Sequence, residues 1–221
     1  FEDDHVIVVN KPADLVVHPG KGNMDHTLVN VLLDRLDPAV GHPERPGIVH
    51  RLDKGTSGCL VLAKNLIYLN HVNNQFKERK VEKVYRAIVA PELVDSCVIR
   101  HRLRVQRDSQ GLKESVVCDQ GIFAKTRIEV ARSAAGCAEV IARPETGRLH
   151  QIRVHLAHIG HPIIGDERYG HAVYNRLWRR RGCRRLFLHA EAITLKSPVH
   201  NRSIQCQSQL PTEFDDAIAI A

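Results

Sequence analysis

The chain has 221 residues, enough for one domain with a substantial buried core or for two small lobes that share one sheet. Lys and Arg total 32 against 25 Asp and Glu, and the net charge of +7 suits a partner with a phosphate backbone. The six cysteines form no C-x-x-C pair, so they indicate neither a zinc ribbon nor a disulfide framework, and no apolar run approaches the roughly 20 residues that span a bilayer. We therefore expect a soluble intracellular protein without membrane contact, in the cytoplasm or the mitochondrion.

The hydrophobic pattern predicts strands and helices along the whole chain. In the first half it predicts a strand over residues 6–9, a helix over 27–36, a loop over 41–47, a strand over 59–63 and a helix over 65–78. In the second half it predicts a strand over 81–89, short strands of a mostly antiparallel sheet over 98–142, and a helix over 147–160. Since no repeat or linker interrupts the pattern, a single α+β domain over residues 1–221 is predicted.

Residues 50–58 concentrate chemistry around a single carboxylate, Asp53. Arg51 and Lys54 flank it, and two glycines in the segment permit close approaches of the backbone. Neighbouring cations keep a carboxylate ionised, and an ionised, fixed Asp can act as a nucleophile or as a base. The alternative is a charged turn in which Asp53 pairs with Arg51 or Lys54, and composition alone favours that alternative.

Residues 147–155 form a second cluster, with two arginines and two histidines on or beside the last predicted helix. Arg153 follows Leu149 by four residues and so flanks the apolar stripe, where a guanidinium is tolerated chiefly when it meets a carboxylate or a phosphate. We therefore predict a contact between Arg153 and Asp53. The alternative is an arginine whose side chain extends into water.

Histidines and arginines form two further groups in the second half of the chain. The spacing of the histidines matches no zinc motif, so no metal site is predicted for His150, His155, His158 and His161. A run of arginines over residues 176–185 surrounds Trp178, whose indole can stack on a base or on a guanidinium while Arg179, Arg180 and Arg181 contact phosphates. The alternative is a solvated, charged loop.

The chain resembles the RluA family of RNA pseudouridine synthases in five ordered segments, almost from end to end. The segments are residues 10–12 with 17–20, 50–58, 83–87, 147–155, and 188–190 with 209–211. The second is similar to the family's catalytic motif H-R-L-D-x-x-T-S-G, and the fourth to its motif G-R-x-H-Q-I-R-x-H. The resemblance leans toward the members that act on large-subunit ribosomal RNA, which often carry an S4 domain; we expect no S4 domain within residues 1–221.

This resemblance implies a pseudouridine synthase catalytic domain with a mixed, mostly antiparallel sheet in two lobes, helices and a central RNA-binding cleft. It implies a reaction without a cofactor, in which a uridine is flipped out of RNA, Asp53 helps to cleave its N1–C1′ bond, and the uracil turns and rejoins through C5. Tyr85 is implied to stack on the uracil and Arg153 to orient the carboxylate. The implied RNA contacts are Arg51, Lys54, Arg148, His150 and Gln151, and the implied pocket residues are Thr56, Ser57, Gly58, Ile152 and Leu188.

Two functions follow from these observations. The first is an active synthase that modifies ribosomal RNA, free or within a pre-ribosomal particle, and is monomeric apart from RNA or ribosomal partners. The second is a ribosome or mitoribosome assembly factor that keeps the fold, binds precursor ribosomal RNA and modifies nothing. The basic composition and Leu149, which stands where the family usually has Thr, motivate the second. Two other departures, Gly55 and Cys59, remove no proposed catalytic group.

Overall fold

The computed structural model describes residues 1–20, 24–198 and 203–221. The chain divides into two compact units, the first made of Phe1–Lys83 and Ala190–Gln209, the second of Val84–His189 and Leu210–Ala221. The described elements are, in chain order, β1 (Val6–Lys11), α1 (Leu28–Val31), a 3-10 helix (Leu33–Arg35), β2 (Gly41–His42), β3 (Arg45–Pro46), β4 (Ser57–Ala63), α2 (Leu66–Lys77), β5 (Glu82–Val89), β6 (Cys97–Arg107), β7 (Lys113–Val117), β8 (Ile122–Ala134), β9 (Cys137–Pro144), α3 (Gln151–His158), α4 (Ala172–Arg180), β10 (Leu188–Lys196), β11 (Ser203–Gln207) and α5 (Glu213–Ala219). Within these residues, no helix is long and apolar enough to cross a membrane.

The first unit is built on β4, which is buried along its whole length. β1 pairs with it in antiparallel register, and β10, paired with β11, lies on its other side. Helix α2 packs against this sheet through Tyr68 and Val72, as the apolar stripe of the sequence predicts, with Phe76 partly buried beside them. The strands predicted over 6–9 and 59–63 and the helix over 65–78 are confirmed, whereas the loop predicted over 41–47 contains the short hairpin of β2 and β3.

The helix predicted over residues 27–36 is wrong in its length. Thr27 caps α1, and its side chain and backbone exchange hydrogen bonds with Asn30 within the first turn. Leu32 then leaves the helical conformation (φ −104°, ψ 6°), and a 3-10 helix follows. Because the helix stops after one turn, Val31, which a helix over 27–36 would place on one apolar stripe with Leu28, Leu32 and Leu36, is 71% exposed.

The second unit is an antiparallel sheet in the order β5-β9-β8-β6-β7. This confirms the mostly antiparallel sheet predicted for residues 98–142, although β6 and β8 are longer than the short strands expected, at 11 and 13 residues. Helices α3 and α5 pack on this sheet. The core beneath them includes the large side chains Trp178, Phe187 and Phe214.

A network of ion pairs around a buried carboxylate joins four elements of the second unit. Glu139 on β9 is 0% exposed and binds the guanidinium groups of Arg86 on β5 and Arg132 on β8. Arg132 also pairs with Asp215 of α5 at 2.7 Å. A buried carboxylate is tolerated only when such partners compensate its lost hydration, so Glu139 contributes to the stability of this unit.

Candidate active site

Asp53 lies in the loop that leads into β4, and buried groups hold the main chain of that loop. The backbone N–H of Thr56 donates to the Asp53 carbonyl oxygen at 3.1 Å, which closes a turn. The Lys11 ammonium, on a side chain that is 0% exposed, donates to the carbonyl oxygens of Pro12 (2.8 Å), Leu15 (2.9 Å) and Lys54 (3.0 Å). A buried cation needs such hydrogen bonds. Lys11 therefore links the backbone at Lys54, the residue after Asp53, to the backbone of residues 12–15, which follow β1.

His50 holds the other end of this loop. Its Nε2 accepts a hydrogen bond from the backbone N–H of Val61 at 3.0 Å, and its ring packs against Phe76 with the centroids 5.0 Å apart. Burial, helped by the positive charge of Lys83, lowers the pKa of His50 to about 3. Burial also lowers the pKa of Lys83, to about 8. The His50 imidazole is therefore neutral near pH 7, which is the form that accepts the bond from Val61.

Acidification is expected to destabilise the protein through His50. Its pKa is about 3 in the folded chain against an ordinary value of 6.5, so the unfolded chain binds one more proton between these values. The contribution to stability is complete above pH 6.5 and is lost as the pH falls toward 3. From pH 7 to pH 5 this group alone should reduce the free energy of unfolding by about 2 kcal/mol.

The variant His50→Gln keeps a hydrogen-bond acceptor but does not titrate. Urea unfolding at pH 7, 6 and 5 should show a weaker pH dependence for this variant than for the wild type. The exposed His26→Gln serves as the control and should retain the wild-type dependence. Equal dependence in His50→Gln and in the wild type would contradict the assignment.

The predicted pocket residues of the first unit lie where the loop enters β4. Thr56, Ser57 and Gly58 are buried. Gly58 has φ +110°, and a Cβ at that position would lie 2.2 Å from the carbonyl oxygen of Ala190, so only glycine fits. By contrast, Arg51 and Lys54 are exposed. The loop thus presents charged side chains from a main chain that buried groups fix in place.

In the second unit, the helix predicted over residues 147–160 begins four residues late, at Gln151. His150 adopts the left-handed conformation (φ 52°), so residues 147–150 form a non-helical turn that precedes α3. Leu149, predicted on the buried stripe, belongs to that turn. Ile152 and Leu156 of the predicted stripe are buried, whereas Ile159, just beyond the end of α3, is partly buried.

Gln151 closes this turn with its side chain, which is 4% exposed. Its Oε1 accepts from the Thr146 hydroxyl at 2.7 Å and from the Arg148 backbone N–H at 3.0 Å. Its amide nitrogen donates to the Lys125 carbonyl oxygen and the Thr126 hydroxyl, both at 2.9 Å. An RNA contact through this amide would have to replace these bonds, and the predicted RNA contact of Gln151 stays a prediction.

Arg153 of α3 makes a two-pronged ion pair with Asp166. The Nε–Oδ2 distance is 2.7 Å and the Nη2–Oδ1 distance 2.8 Å, and the Asp166 side chain is 1% exposed. Burial acts to raise the pKa of Asp166, but the Arg153 guanidinium and two backbone N–H groups outweigh it and hold the pKa below its ordinary value. The guanidinium also lies over the Tyr169 ring, 5.1 Å from its centroid. These contacts fix the plane of the Arg153 guanidinium.

Tyr169 connects this ion pair to the turn before α3. Its hydroxyl lies 2.7 Å from Nδ1 of His150 and accepts the backbone N–H of Ser115 at 2.9 Å. The Ser115 hydroxyl in turn donates to the carbonyl oxygen of Leu149 at 2.7 Å. The turn is therefore tied to β7, and the bond at position 149 involves the main chain, not the side chain that departs from the family pattern.

The other predicted site residues of the second unit lie as follows. Tyr85 on β5 is partly buried against the core, and Ile152 and Leu188 are buried in that core. Arg148 is partly exposed, and its Nε donates to the Phe123 carbonyl oxygen at 3.4 Å. The contact predicted between Arg153 and Asp53 joins the two units and stays a prediction.

The first half of the arginine-rich stretch 176–185 belongs to α4, which ends at Arg180, so only the second half fits the alternative of a charged loop. Trp178 is 2% exposed in the core, so its indole cannot stack on a base as predicted. The helical period explains this, because Trp178 shares the buried side of α4 with Tyr174, four residues earlier. Arg181 stacks on the edge of the core over the Trp178 ring at 5.2 Å, and Arg179 pairs with Glu167 at 3.0 Å. Arg180 is exposed.

Two of the histidines considered for metal binding, His155 and His158, lie beside the ring of His101, with centroid distances of 6.3 Å and 4.3 Å. His155 is buried, and its Nδ1 lies 2.9 Å from the Thr126 hydroxyl, whereas His158 is exposed on the same helix. In the part of the chain that the structure describes, no group of three or more His, Cys, Asp or Glu side chains is placed to hold a metal ion.

Sequence reasoning missed three residues that shape the site: Lys11, Asp166 and Tyr169. Lys11 was included only as part of the family segment of residues 10–12. Residues 165–170 read Gly-Asp-Glu-Arg-Tyr-Gly, so Asp166 is a carboxylate beside glycines, the same signal that singled out Asp53. Its bond to Arg153, 13 residues earlier, could not be read from helical spacing because it lies beyond the helix.

The mostly antiparallel sheet, the loop that carries Asp53 and helix α3 with Arg153 are the features expected of an RNA-modifying enzyme domain of the pseudouridine synthase class. A family model described as RNA pseudouridylate synthase matches residues 5–158. The chain belongs to this RNA pseudouridylate synthase family, and the family resemblance of its motifs is confirmed.

Curated relatives extend this match over nearly the whole chain. It is 38% identical over 226 residues to the ribosomal large subunit pseudouridine synthase D of Xylella fastidiosa, a match that covers 99% of this chain and 67% of that protein. It is 39% identical over 221 residues to the protein of the same name from Xanthomonas campestris, covering 97% of this chain and 66% of that protein. The chain thus spans about two thirds of the length of these relatives.

Solved structures support the fold. The human protein RNA pseudouridylate synthase domain containing 4 superposes with a TM-score of 0.76 at 27% identity, over 100% of this chain and 91% of that chain. Human RNA pseudouridylate synthase domain containing 1 gives a TM-score of 0.76 at 25% identity, over 98% of this chain and 85% of that chain.

Proposed function

We propose that this chain isomerises uridine to pseudouridine in large-subunit ribosomal RNA, with Asp53 as the catalytic carboxylate and both units acting as one catalytic domain. The observation that carries the proposal is the fixed loop around Asp53, which buried Lys11 and neutral His50 hold from two sides. The names of the relatives supply the class of RNA. Such pre-organisation is what a group that must meet a flipped base requires.

The reaction exchanges one glycosidic bond for another. The N1–C1′ bond breaks and a C5–C1′ bond forms; the proton on C5 leaves and N1 gains a proton, so the product is an isomer of uridine. Asp53 assists the cleavage as an ionised carboxylate, and Tyr85 stacks on the uracil while it turns. Arg153, held in one plane by Asp166, orients the carboxylate.

RNA contacts surround these groups in the proposal. Arg51 and Lys54 are exposed beside Asp53 and suit phosphate or base contacts near the flipped nucleotide. Arg148 and His150 are assigned to RNA on the turn before α3. Arg180, exposed at the end of α4, is kept as a phosphate contact, whereas Arg179 already has a carboxylate partner.

The test is a map of pseudouridines in ribosomal RNA by carbodiimide-based sequencing. Cells that lack the protein should lose at least one pseudouridine in the large-subunit RNA, and a plasmid copy of the wild-type gene should restore it. If no site is lost, the proposed activity is wrong.

The scaffold that modifies nothing is not favoured as a second function. It was motivated by the basic composition, which an active synthase shares, and by Leu149, which lacks the hydroxyl usual at this position. However, the bond that anchors this turn to Ser115 uses the Leu149 carbonyl oxygen, so the substitution leaves the anchor in place.

A further inference from the structure

The sheet of the second unit has a basic surface that no motif covers, and we call it the outer face. Residues on one strand that are two apart share a face, as do residues paired directly across two antiparallel strands. By the register of β6, β8 and β9, Arg100 pairs with Lys125, and Arg127 pairs with Val98 on one side and Arg143 on the other. Among the described residues, six cations define the outer face: Arg100, Arg102, Arg104, Lys125, Arg127 and Arg143.

Helix α3 covers the opposite face of this sheet. Val154 of α3 packs against Leu103 and Ala124, which alternate with the residues of the outer face. The burial pattern of β6 follows the same alternation, since Ile99 and Leu103 are buried and the arginines between and beside them are exposed. The arginines of the outer face therefore point into solvent.

Carboxylates neutralise only part of this charge. Glu145 pairs with Lys125 at 2.7 Å and with Arg127 at 2.6 Å. Glu114, Glu129 and Glu139 are the other acidic residues on this side of the described strands. Glu139 is buried and already bound to Arg86 and Arg132, which are not among the six cations. Within the described ranges, Arg100, Arg104 and Arg143 have no carboxylate within ion-pair distance. Like charges set two residues apart repel one another, so this arrangement costs stability unless an anion binds.

An aromatic ring lies among these cations. Phe123 stands directly opposite Arg102 in the register of β6 and β8 and is 40% exposed. Arg102 donates to the Gly121 carbonyl oxygen at 3.2 Å, which directs its guanidinium toward the same end of β8. Cations that follow a backbone, with an exposed ring for a base, are the pattern of surfaces that bind single-stranded nucleic acid.

We propose that the outer face binds RNA, with its arginines on consecutive phosphates and Phe123 against a base. This proposal rests on the proposed function only in that the proposed function names ribosomal RNA as the RNA that binds. Arg148, whose guanidinium reaches the Phe123 carbonyl oxygen, connects the outer face with the turn before α3. The RNA then extends beyond the nucleotide that is modified, along a face of the sheet that the family motifs leave unassigned.

The test compares two triple variants that remove the same number of charges. Arg100→Gln, Arg102→Gln and Arg104→Gln neutralise the centre of the outer face. Lys77→Gln, Arg79→Gln and Lys80→Gln neutralise three exposed cations at the end of α2 in the first unit. The probe is large-subunit ribosomal RNA transcribed in vitro, with dissociation constants measured between 0.05 and about 0.3 M salt.

The outer-face triple should weaken RNA binding about 10- to 100-fold at 0.1 M salt and reduce the slope of log K against log salt by about two to three. The control triple should change the slope by less than about one. Phe123→Ala should weaken binding about 10-fold without changing the slope. The single-turnover rate at saturating RNA should remain that of the wild type in every variant.

The proposal would be overturned if the triple variant of the outer face had the same RNA affinity and the same salt dependence as the control triple variant. It would also be overturned by an unchanged RNA affinity together with lost binding to poly-glutamate, because the face would then serve an acidic protein. If the wild type forms no pseudouridine and yet the triple changes the salt slope, the surface is upheld and the proposed function fails.

Discussion

Replacing Asp53 by Asn should reduce pseudouridine formation at least about 1,000-fold while leaving RNA binding within about threefold of the wild type. Asn has the shape of Asp but is neutral, so it cannot assist the departure of the base. The loop should keep its shape, because Lys11 and His50 hold it through the carbonyl of Lys54 and the N–H of Val61. Single-turnover assays on transcribed ribosomal RNA measure the rate, and filter binding measures the affinity.

Arg51→Gln is the matched control for this experiment. It removes a neighbouring exposed charge and is expected to weaken binding while the rate at saturating RNA stays within about tenfold of the wild type. If the Asp53→Asn variant forms pseudouridine at a rate near that of the wild type, Asp53 is not the catalytic carboxylate.

Replacing Asp166 by Asn is the second change with a large expected effect. The neutral amide cannot hold both nitrogens of the Arg153 guanidinium, which keeps its charge in a largely buried position. We expect kcat to fall about 10- to 100-fold with little change in KM, because a displaced orienting group slows the reaction more than it weakens RNA binding. The unfolding free energy should also fall, by roughly 3–5 kcal/mol.

Glu139→Gln separates positioning from stability in this second experiment. Glu139 is a buried carboxylate of the same unit, bound to two arginines, so its neutralisation should cost a comparable amount of stability. Its partners lie on β5 and β8 and not on α3, so kcat should remain near that of the wild type. If both variants lower kcat equally at a temperature where both are folded, Asp166 has only a structural role.

The sequence was most informative where one local pattern decides the structure. The run at Cys59 to Ala63 is apolar and bounded by glycine, and it forms a buried strand. Tyr68 and Val72 repeat at the helical period and form the buried side of α2. In the site, the carboxylate at Asp53 was found from its neighbours and from the family motif, and its role awaits the experiments above.

The sequence was least informative where a contact between distant residues decides. His150 lies in a left-handed conformation that nothing in its neighbours requires, and the turn it ends is held by Tyr169 and Ser115. Trp178 was assigned to RNA because arginines surround it, although packing of α4 buries it. The arginines at 100, 102 and 104 alternate with other residues, and the register of β6 and β8 was needed to show that they share one face with Lys125 and Arg127.

The contacts that fix the backbone of the Asp53 loop leave its exposed side chains open to change, so the RNA specificity of this enzyme can be engineered there. The Lys11 ammonium donates a hydrogen bond to the carbonyl oxygen of Lys54. Every amino acid carries this carbonyl group, so the backbone path of the loop does not depend on the side chain at position 54. Arg51 and Lys54 are exposed, and a library at these two sites should yield folded proteins with varied RNA preferences. The RNA preference of the enzyme can then be changed without changing the backbone of the loop that carries Asp53.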